Sequence, residues 1–160
     1  MEWTEVINNP LLKDLPFKIE LNKWGKILMS PANNNHGSLQ YKIGRMLDLG
    51  KRSGEIIIEC SVQTVEGTKV ADVAWASDEF MDKYGFNTPY EIAPEICVEV
   101  ISPSNSKKEM DEKIKLYLNR GAREVWLCNQ QGKISFYSKA GKLKKSGELE
   151  ARNIKRRSNK

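Results

Sequence analysis

Three residues in apolar surroundings have side chains suited to hydrolytic chemistry. Glu99 lies in a run that reads as a buried strand (95–101), and Lys113 falls within the apolar stripe of the amphipathic segment that follows. Asp72 lies in a second apolar, strand-like run at 70–75. Because carboxylates and ammonium groups are costly to desolvate, their presence in these patterns indicates a functional site. Two carboxylates and a lysine that converge would serve metal-assisted hydrolysis of a phosphodiester.

The periodicity of strands and helices assigns these side chains to faces. Alternation along a strand places Glu99 on the face of Cys97, and it places Asp72 on the face of Ala74. Each residue also has a structural alternative. Asp72 or Glu99 could form a satisfied ion pair, and the Lys113 ammonium could reach water past the apolar stripe. For any one of these residues taken alone, the structural alternative is the commoner case.

Apolar spacing also predicts the elements that must position these residues. Alternation with period two predicts strands, and apolar residues at helical spacing predict helices. A cluster of asparagines at 33–35 offers N-cap side chains for the first helix. The predicted elements are a β-hairpin over 17–30, a helix to about residue 49, strands at 55–65 and 68–76 joined as a hairpin, a loop over 77–94, a strand at 95–101, a helix at 106–119, and strands at 122–128 and 133–138. The predicted fold class is α/β in the mixed α+β sense: a mixed central β-sheet flanked by helices, with an N-terminal β-hairpin.

The length of the chain suits a single domain, and its positive charge is concentrated near the C-terminus. Its 160 residues suit one domain with its own core. The net charge is +5 at pH 7, but nine Lys/Arg and two Glu between residues 139 and 160 give +7, whereas residues 1–138 give −2. We therefore predict one domain over 1–138 and a basic C-terminal tail over 139–160. Such a tail attracts phosphate polyanions, or it is a solvated, partly disordered segment that keeps the protein soluble.

Composition excludes several classes of protein. Hydrophobic residues make up 39% of the chain and charged residues 29%, as in an ordinary soluble domain. The apolar runs are too short to span a bilayer and carry acids, so no membrane association is expected. The N-terminus lacks the pattern of a signal peptide. Cys60, Cys97 and Cys128 occur singly in separate strand-like runs without the spacing of a zinc site, and buried free thiols fit a reducing, cytoplasmic location.

Three segments carry a resemblance to a known family. They are the strand around Asp72, the run PEICVEVISPS with Glu99, and the run EKIKLYLNRGAREVWLC with Lys113. In these segments the chain resembles the Uma-type endonuclease family of the PD-(D/E)XK restriction-endonuclease-like superfamily, and the resemblance covers residues 17–137. It implies a restriction-endonuclease-like core. It also implies an endonuclease that hydrolyses DNA phosphodiester bonds with Mg²⁺, or with Mn²⁺ as a second option.

Carried over residue by residue, the resemblance implies a metal site and a catalytic lysine. Asp72 and Glu99 would ligate the metal together with the backbone carbonyl of Val100, and Lys113 would complete the catalytic set. The lysine of this superfamily usually stands two residues after the glutamate, where this chain has Ile101. The resemblance therefore implies that Lys113, on the following helix, replaces it.

Four further polar residues are weaker candidates for the site. Glu20 on the early hairpin and His36 at the start of the first helix match two additional polar positions of the family. His36 is also plausible as an ordinary polar residue at a helix start. Glu59 and Glu124 are the weakest of these candidates, because both could simply occupy the polar faces of their strands.

Three classes of function are compatible with these observations. The first is a Mg²⁺-dependent DNA endonuclease. The second is a catalytically silent nucleic-acid-binding module that uses the basic tail and keeps its acids for structural reasons. The third is a homodimeric protein-interaction domain. Family resemblance does not decide among them, because fold and function separate readily.

Overall fold

The structure, a computed structural model, describes residues 1–157 of the chain as four helices, a 3₁₀ turn and eight strands. In order these are α1 (Trp3–Asn8), the 3₁₀ turn (Pro10–Leu12), β1 (Phe17–Leu21), β2 (Ile27–Pro31), α2 (Asn34–Lys51), β3 (Glu55–Thr64), β4 (Gly67–Ala76), α3 (Asp78–Tyr84), β5 (Ile96–Val100), α4 (Lys107–Asn119), β6 (Glu124–Cys128), β7 (Ile134–Ser138) and β8 (Gly141–Leu143). Among these residues no helix is long and apolar enough to cross a membrane.

Six strands form one mixed sheet with the order β3-β4-β5-β6-β7-β8. Neighbouring strands run antiparallel except for β5 and β6, which are parallel. A parallel pair requires a crossover connection, and α4 supplies it. Strands β1 and β2 form a separate antiparallel hairpin. The predicted fold class is thereby confirmed: a mixed sheet flanked by helices, with an N-terminal hairpin.

The two long helices cover opposite faces of the sheet. On one face, the fully buried side chains of Leu39, Ile43 and Leu47 in α2 pack against residues of β4, β5 and β6. On the other, Met110 and Tyr117 of α4 pack against the alternate residues of the same strands. Because successive side chains of a strand point to opposite faces, the central strands are buried on both sides. The sheet therefore has an apolar layer on each face.

A third cluster fixes the hairpin and α1 to the sheet. Trp3 and Val6 of α1 pack with Leu21 of β1 and Val70 of β4, and all four are buried. This contact holds the β1–β2 hairpin over one end of β4. The hairpin is therefore positioned by packing and by side-chain hydrogen bonds, and not by strand pairing with the main sheet.

The predicted loop over 77–94 is partly wrong, because its first part is helix α3. The Ser77 side chain caps this helix by accepting a hydrogen bond from the Phe80 amide, and the buried Phe80 ring anchors it. Gly85, with φ of 54°, follows its last turn. Two helical turns are too short for apolar periodicity to separate from a loop.

The segment after residue 138 continues the sheet and then packs on the core. Strand β8 pairs with β7, and the partly buried side chains of Leu149, Ala151 and Ile154 contact the cluster beneath α2. Between residues 139 and 157 the basic side chains are therefore carried on a backbone that is tied to the domain at several points, and the last three residues of the predicted tail lie outside the described residues. The three cysteines are buried free thiols, as predicted.

Candidate active site

Asp72 and Glu99 lie opposite each other where β4 and β5 stop pairing. The register joins Val73 to Val98, so its continuation places the two acids side by side on one face of the sheet. There the Val100 amide donates to Asp72 Oδ2 (2.6 Å). The two acidic residues are only 1% and 2% exposed. Strand register thus brings two buried carboxylates together.

Pairing is also interrupted at Asp72 on the β3 side. The ladder between β3 and β4 is continuous except at Glu59, which has a φ of 55° and would otherwise pair with Asp72. The Asp72 carbonyl accepts instead from Gln40 Nε2 (3.1 Å), which also donates to Glu59 Oε1 (2.5 Å). A left-handed backbone at a residue other than glycine is energetically costly, and such residues cluster at functional sites.

Lys113 projects from α4 into this pair of acids. Its Nζ lies 2.9 Å from Glu20 Oε1 and 3.2 Å from Glu99 Oε1, and the residue is 5% exposed. The ammonium therefore does not reach water past the apolar stripe. Glu20 Oε1 also accepts from the Val70 amide (2.8 Å), and Tyr117 Oη donates to Glu99 Oε1 (2.7 Å). The polar atoms that the helix brings into the core are thus hydrogen-bonded.

Lys18 is a charged residue of the candidate site that the sequence analysis missed. Its Nζ contacts Asp72 Oδ1 at 2.7 Å and Glu99 Oε2 at 3.2 Å, and it lies 4.0 Å from Glu20 Oε1. One signal could have indicated it, because Lys18 and Glu20 are two residues apart on β1 and so share a face. A lysine on a surface hairpin is ordinarily solvated, which is why the pattern alone did not single it out.

His36 approaches the same aspartate from the N-terminus of α2. Its backbone amide donates to the Asn33 cap, and its Nε2 lies 3.2 Å from Asp72 Oδ1. The hydrogen bond to Asp72 raises the pKa of the imidazole, although partial burial opposes this. His36, Glu59 and Asp72 each offer a ligand atom, and these three atoms lie within 4.8 Å of one another. Glu59 therefore lies beside His36 and Asp72 at the cleft.

Opposite pKa shifts distinguish the two buried acids. Burial alone would raise the pKa of Asp72, but Lys18 and His36 outweigh it and hold the pKa far below its ordinary value. Burial is the largest effect on Glu99 and raises its pKa, despite the nearby ammonium groups of Lys113 and Lys18. The acids in turn raise the pKa of both lysines against the effect of burial. Both lysines are therefore cationic at neutral pH.

These residues line one cleft of about 260 Å³ between the hairpin, α2 and the sheet. Its wall includes the predicted site residues together with Lys18, namely Lys18, Glu20, His36, Asp72, Glu99, Val100 and Lys113. Glu124, by contrast, does not line this cleft. Its carboxylate accepts from Trp126 Nε1 (2.7 Å), Ser146 Oγ (2.8 Å) and the Gly147 amide (2.6 Å), so it ties the C-terminal segment to β6.

The donor set fits a divalent cation. Asp72 and Glu99 offer hard carboxylate oxygens, the ligand type that Mg²⁺ and Mn²⁺ prefer. Both carboxylates are already arranged around a positive charge, the ammonium of Lys18. His36, Glu59 and Asp72 form a second possible set of metal ligands. This set includes an imidazole, which suits later transition metals better than Mg²⁺. The residues present are therefore compatible with a metal on the cleft wall.

Comparison with known proteins agrees with this architecture. The model of the Uma2 family, described as "Putative restriction endonuclease", matches residues 12–154. A solved structure from Anabaena variabilis ATCC 29413, described as a "putative nuclease belonging to DUF820", superposes with a TM-score of 0.64 at 18% sequence identity. The match covers 75% of this chain and 71% of that chain, and at this identity it shows a shared fold. No curated protein matches the sequence.

Proposed function

The chain belongs to the Uma2 family, and from this premise we propose that it is a Mg²⁺-dependent endonuclease that hydrolyses phosphodiester bonds in DNA. Family membership supports nuclease function in general. One observation carries the more specific proposal: Lys113 and the carboxylates of Glu20, Asp72 and Glu99 converge in one cleft from four separate elements. Phosphodiester hydrolysis needs charge neutralisation at the phosphate and a positioned water, and these groups are suited to both tasks.

Asp72 and Glu99 would hold the metal together with the carbonyl of Val100. Val100 lines the cleft, and its amide is bonded to Asp72, so its peptide unit adjoins the acids. A bound Mg²⁺ or Mn²⁺ would lower the pKa of a ligated water and offset negative charge on the scissile phosphate. Asp72 suits this role because its low pKa keeps it ionised at neutral pH.

Lys113 would act as a hydrogen-bond donor to the attacking water or to the developing negative charge. Its raised pKa keeps the ammonium protonated, so it is a poor general base at neutral pH. Glu20 would act as a positioning residue, because its contact at 2.9 Å directs the ammonium beside Glu99. His36 would orient Asp72 through the contact to Oδ1.

A plasmid-cleavage assay tests this proposal. Supercoiled DNA is incubated with the protein and Mg²⁺, Mn²⁺ or EDTA, and nicked and linear forms are measured over time. Asp72→Asn and Glu99→Gln should each lower the rate at least about 100-fold, and EDTA should abolish cleavage. Glu112→Gln is the matched control, because Glu112 is exposed on α4. Equal cleavage by wild type and both site variants would contradict the proposal.

DNA binding can be measured separately from cleavage. The described part of the basic segment includes Arg156 and Arg157, which line a groove with Asn34 and Asn35 at the start of α2. Because the segment also packs on the core, Arg156→Gln with Arg157→Gln is a better probe than deletion of residues 139–160. Duplex affinity should fall in this variant, together with the slope of its salt dependence. Salt-dependent binding without cleavage by the wild type would instead favour the silent binding module.

A further inference from the structure

We propose that Lys18 holds the place of the divalent cation in the metal-free protein and leaves it when the metal binds. The inference rests on the proposed metal site at Asp72 and Glu99. It assigns to Lys18 a role that neither the family match nor the sequence pattern indicates. The lysine would set how tightly the site binds its metal, without being a ligand itself.

The first support comes from the contacts that the four carboxylate oxygens of Asp72 and Glu99 make. Asp72 Oδ2 accepts from the Val100 amide, and Glu99 Oε1 accepts from Lys113 and from Tyr117. The remaining oxygens, Asp72 Oδ1 and Glu99 Oε2, both contact Lys18 Nζ, at 2.7 and 3.2 Å. Each acid thus has one oxygen held by the backbone or by α4 and one directed at the Lys18 ammonium, and Asp72 Oδ1 also lies 3.2 Å from His36 Nε2.

The second support is that an ammonium and a metal ion cannot share this position. Mg²⁺ binds oxygen at about 2.1 Å, so an ion bound to Asp72 Oδ1 and Glu99 Oε2 needs the space between them that Lys18 Nζ occupies. Two cations that close to each other would also repel strongly in a buried site. Metal binding to these oxygens must therefore exchange one cation for the other.

The third support is that Lys18 can move while Lys113 is held. Lys18 lies on the β1–β2 hairpin outside the main sheet, its side chain is 14% exposed, and it lines the cleft. Its flexible four-carbon stem can redirect the ammonium without backbone movement. Lys113 is anchored between Glu20 and Glu99 and its side chain is only 7% exposed. The exchange therefore requires only the Lys18 side chain to change its conformation.

Measured metal affinity tests the exchange without any need for cleavage. When a site is available in only a fraction of molecules, the apparent affinity falls by that fraction. Lys18→Met removes the competing cation and should tighten Mg²⁺ binding about tenfold in calorimetric titrations. Lys18→Arg keeps a cation in place and should bind like the wild type. Lys23→Met is the matched control, because Lys23 is on the same hairpin and its ion pair with Glu66 is exposed.

A labelling experiment on the wild-type protein keeps the inference testable if Lys18→Met does not fold. Reductive methylation of each lysine is followed by mass spectrometry with and without saturating Mg²⁺. Modification of Lys18 should accelerate several-fold when Mg²⁺ is added, while Lys113 stays slow. Unchanged protection of Lys18 in a protein that binds Mg²⁺ would overturn the inference.

The titrations separate this inference from the proposed function. If the wild type binds Mg²⁺ and Lys18→Met binds it no more tightly, the exchange is wrong and the metal site stands. If Asp72→Asn abolishes Mg²⁺ binding and Lys18→Met strengthens it, both ideas are supported. If neither the wild type nor Lys18→Met binds Mg²⁺ or Mn²⁺, the metal site fails and the exchange fails with it.

Discussion

Glu20 Oε1 accepts a hydrogen bond from Lys113 Nζ at 2.9 Å, although 93 residues separate the two in the chain. The contact joins the N-terminal hairpin, which lies outside the main sheet, to helix α4. It also brings Lys113 within 3.2 Å of Glu99. The geometry of the cleft therefore depends on how the hairpin is seated and not on the central strands alone.

Replacement of Lys113 should affect both cleavage and stability. In Lys113→Met the cleavage rate should fall by at least about 100-fold, because the donor that we propose for the attacking water or the developing negative charge is lost. Glu20 and Glu99 lose a buried cation as well, so the free energy of unfolding should fall by about 3 kcal/mol. Plasmid cleavage and urea unfolding measure the two effects. Lys115→Met, on the exposed face of α4, should change neither, and wild-type cleavage by Lys113→Met would exclude the proposed role.

Tyr117→Phe should destabilise the protein while its ring packing is retained. The substitution removes the 2.7 Å hydrogen bond to Glu99 Oε1 at a fully buried position. The expected loss in free energy of unfolding is about 2 kcal/mol, as for a buried acceptor that loses a partner. Tyr41→Phe is the control, since Tyr41 is 68% exposed. An equal effect of both substitutions in thermal or urea unfolding would argue against the hydrogen bond.

Glu124→Gln should release the C-terminal segment without lowering cleavage by the folded protein. The carboxylate accepts from three donors, and the amide that replaces it cannot accept from all of them. The free energy of unfolding should fall by about 1–3 kcal/mol. Trypsin should then cut the Lys/Arg-rich segment after residue 138 faster than in the wild type. Unchanged trypsin sensitivity would mean that the remaining apolar contacts of the segment suffice.

Alkaline pH should destabilise the protein through its buried thiols. Burial raises the pKa of Cys60 to about 12 and that of Cys128 to about 11. Thiols of the unfolded chain ionise from about pH 8.5, so the unfolded state is favoured progressively as pH rises above that value.

Cys60→Ala should therefore remove part of this alkaline loss. Between pH 8.5 and 10 the wild type should lose about 1.6 kcal/mol more of its free energy of unfolding than the variant does. Urea unfolding at several pH values measures the difference, in which the shared titration of lysines and tyrosines cancels. Parallel pH profiles for the two proteins would show that the Cys60 pKa is not raised.

Local periodicity sufficed to assign faces to the residues of the central strands and of α4. A strand repeats every two residues and a helix about every 3.6, so the positions of Glu99 and Lys113 followed from their neighbours in the chain. The same reasoning failed for α3, which is too short to show a period. It also left Glu124 as a candidate, because the sequence does not show which groups a polar strand residue contacts in the folded protein.

The sequence by itself determined which residue types are present, which faces they occupy and which family the chain resembles. Tertiary structure decided which charges meet. Lys18 lies 54 residues from Asp72 and 81 from Glu99, yet it contacts both. No local repeat encodes these contacts, because they depend on strand register, on the interrupted pairing at Asp72 and on the packing of the hairpin over β4.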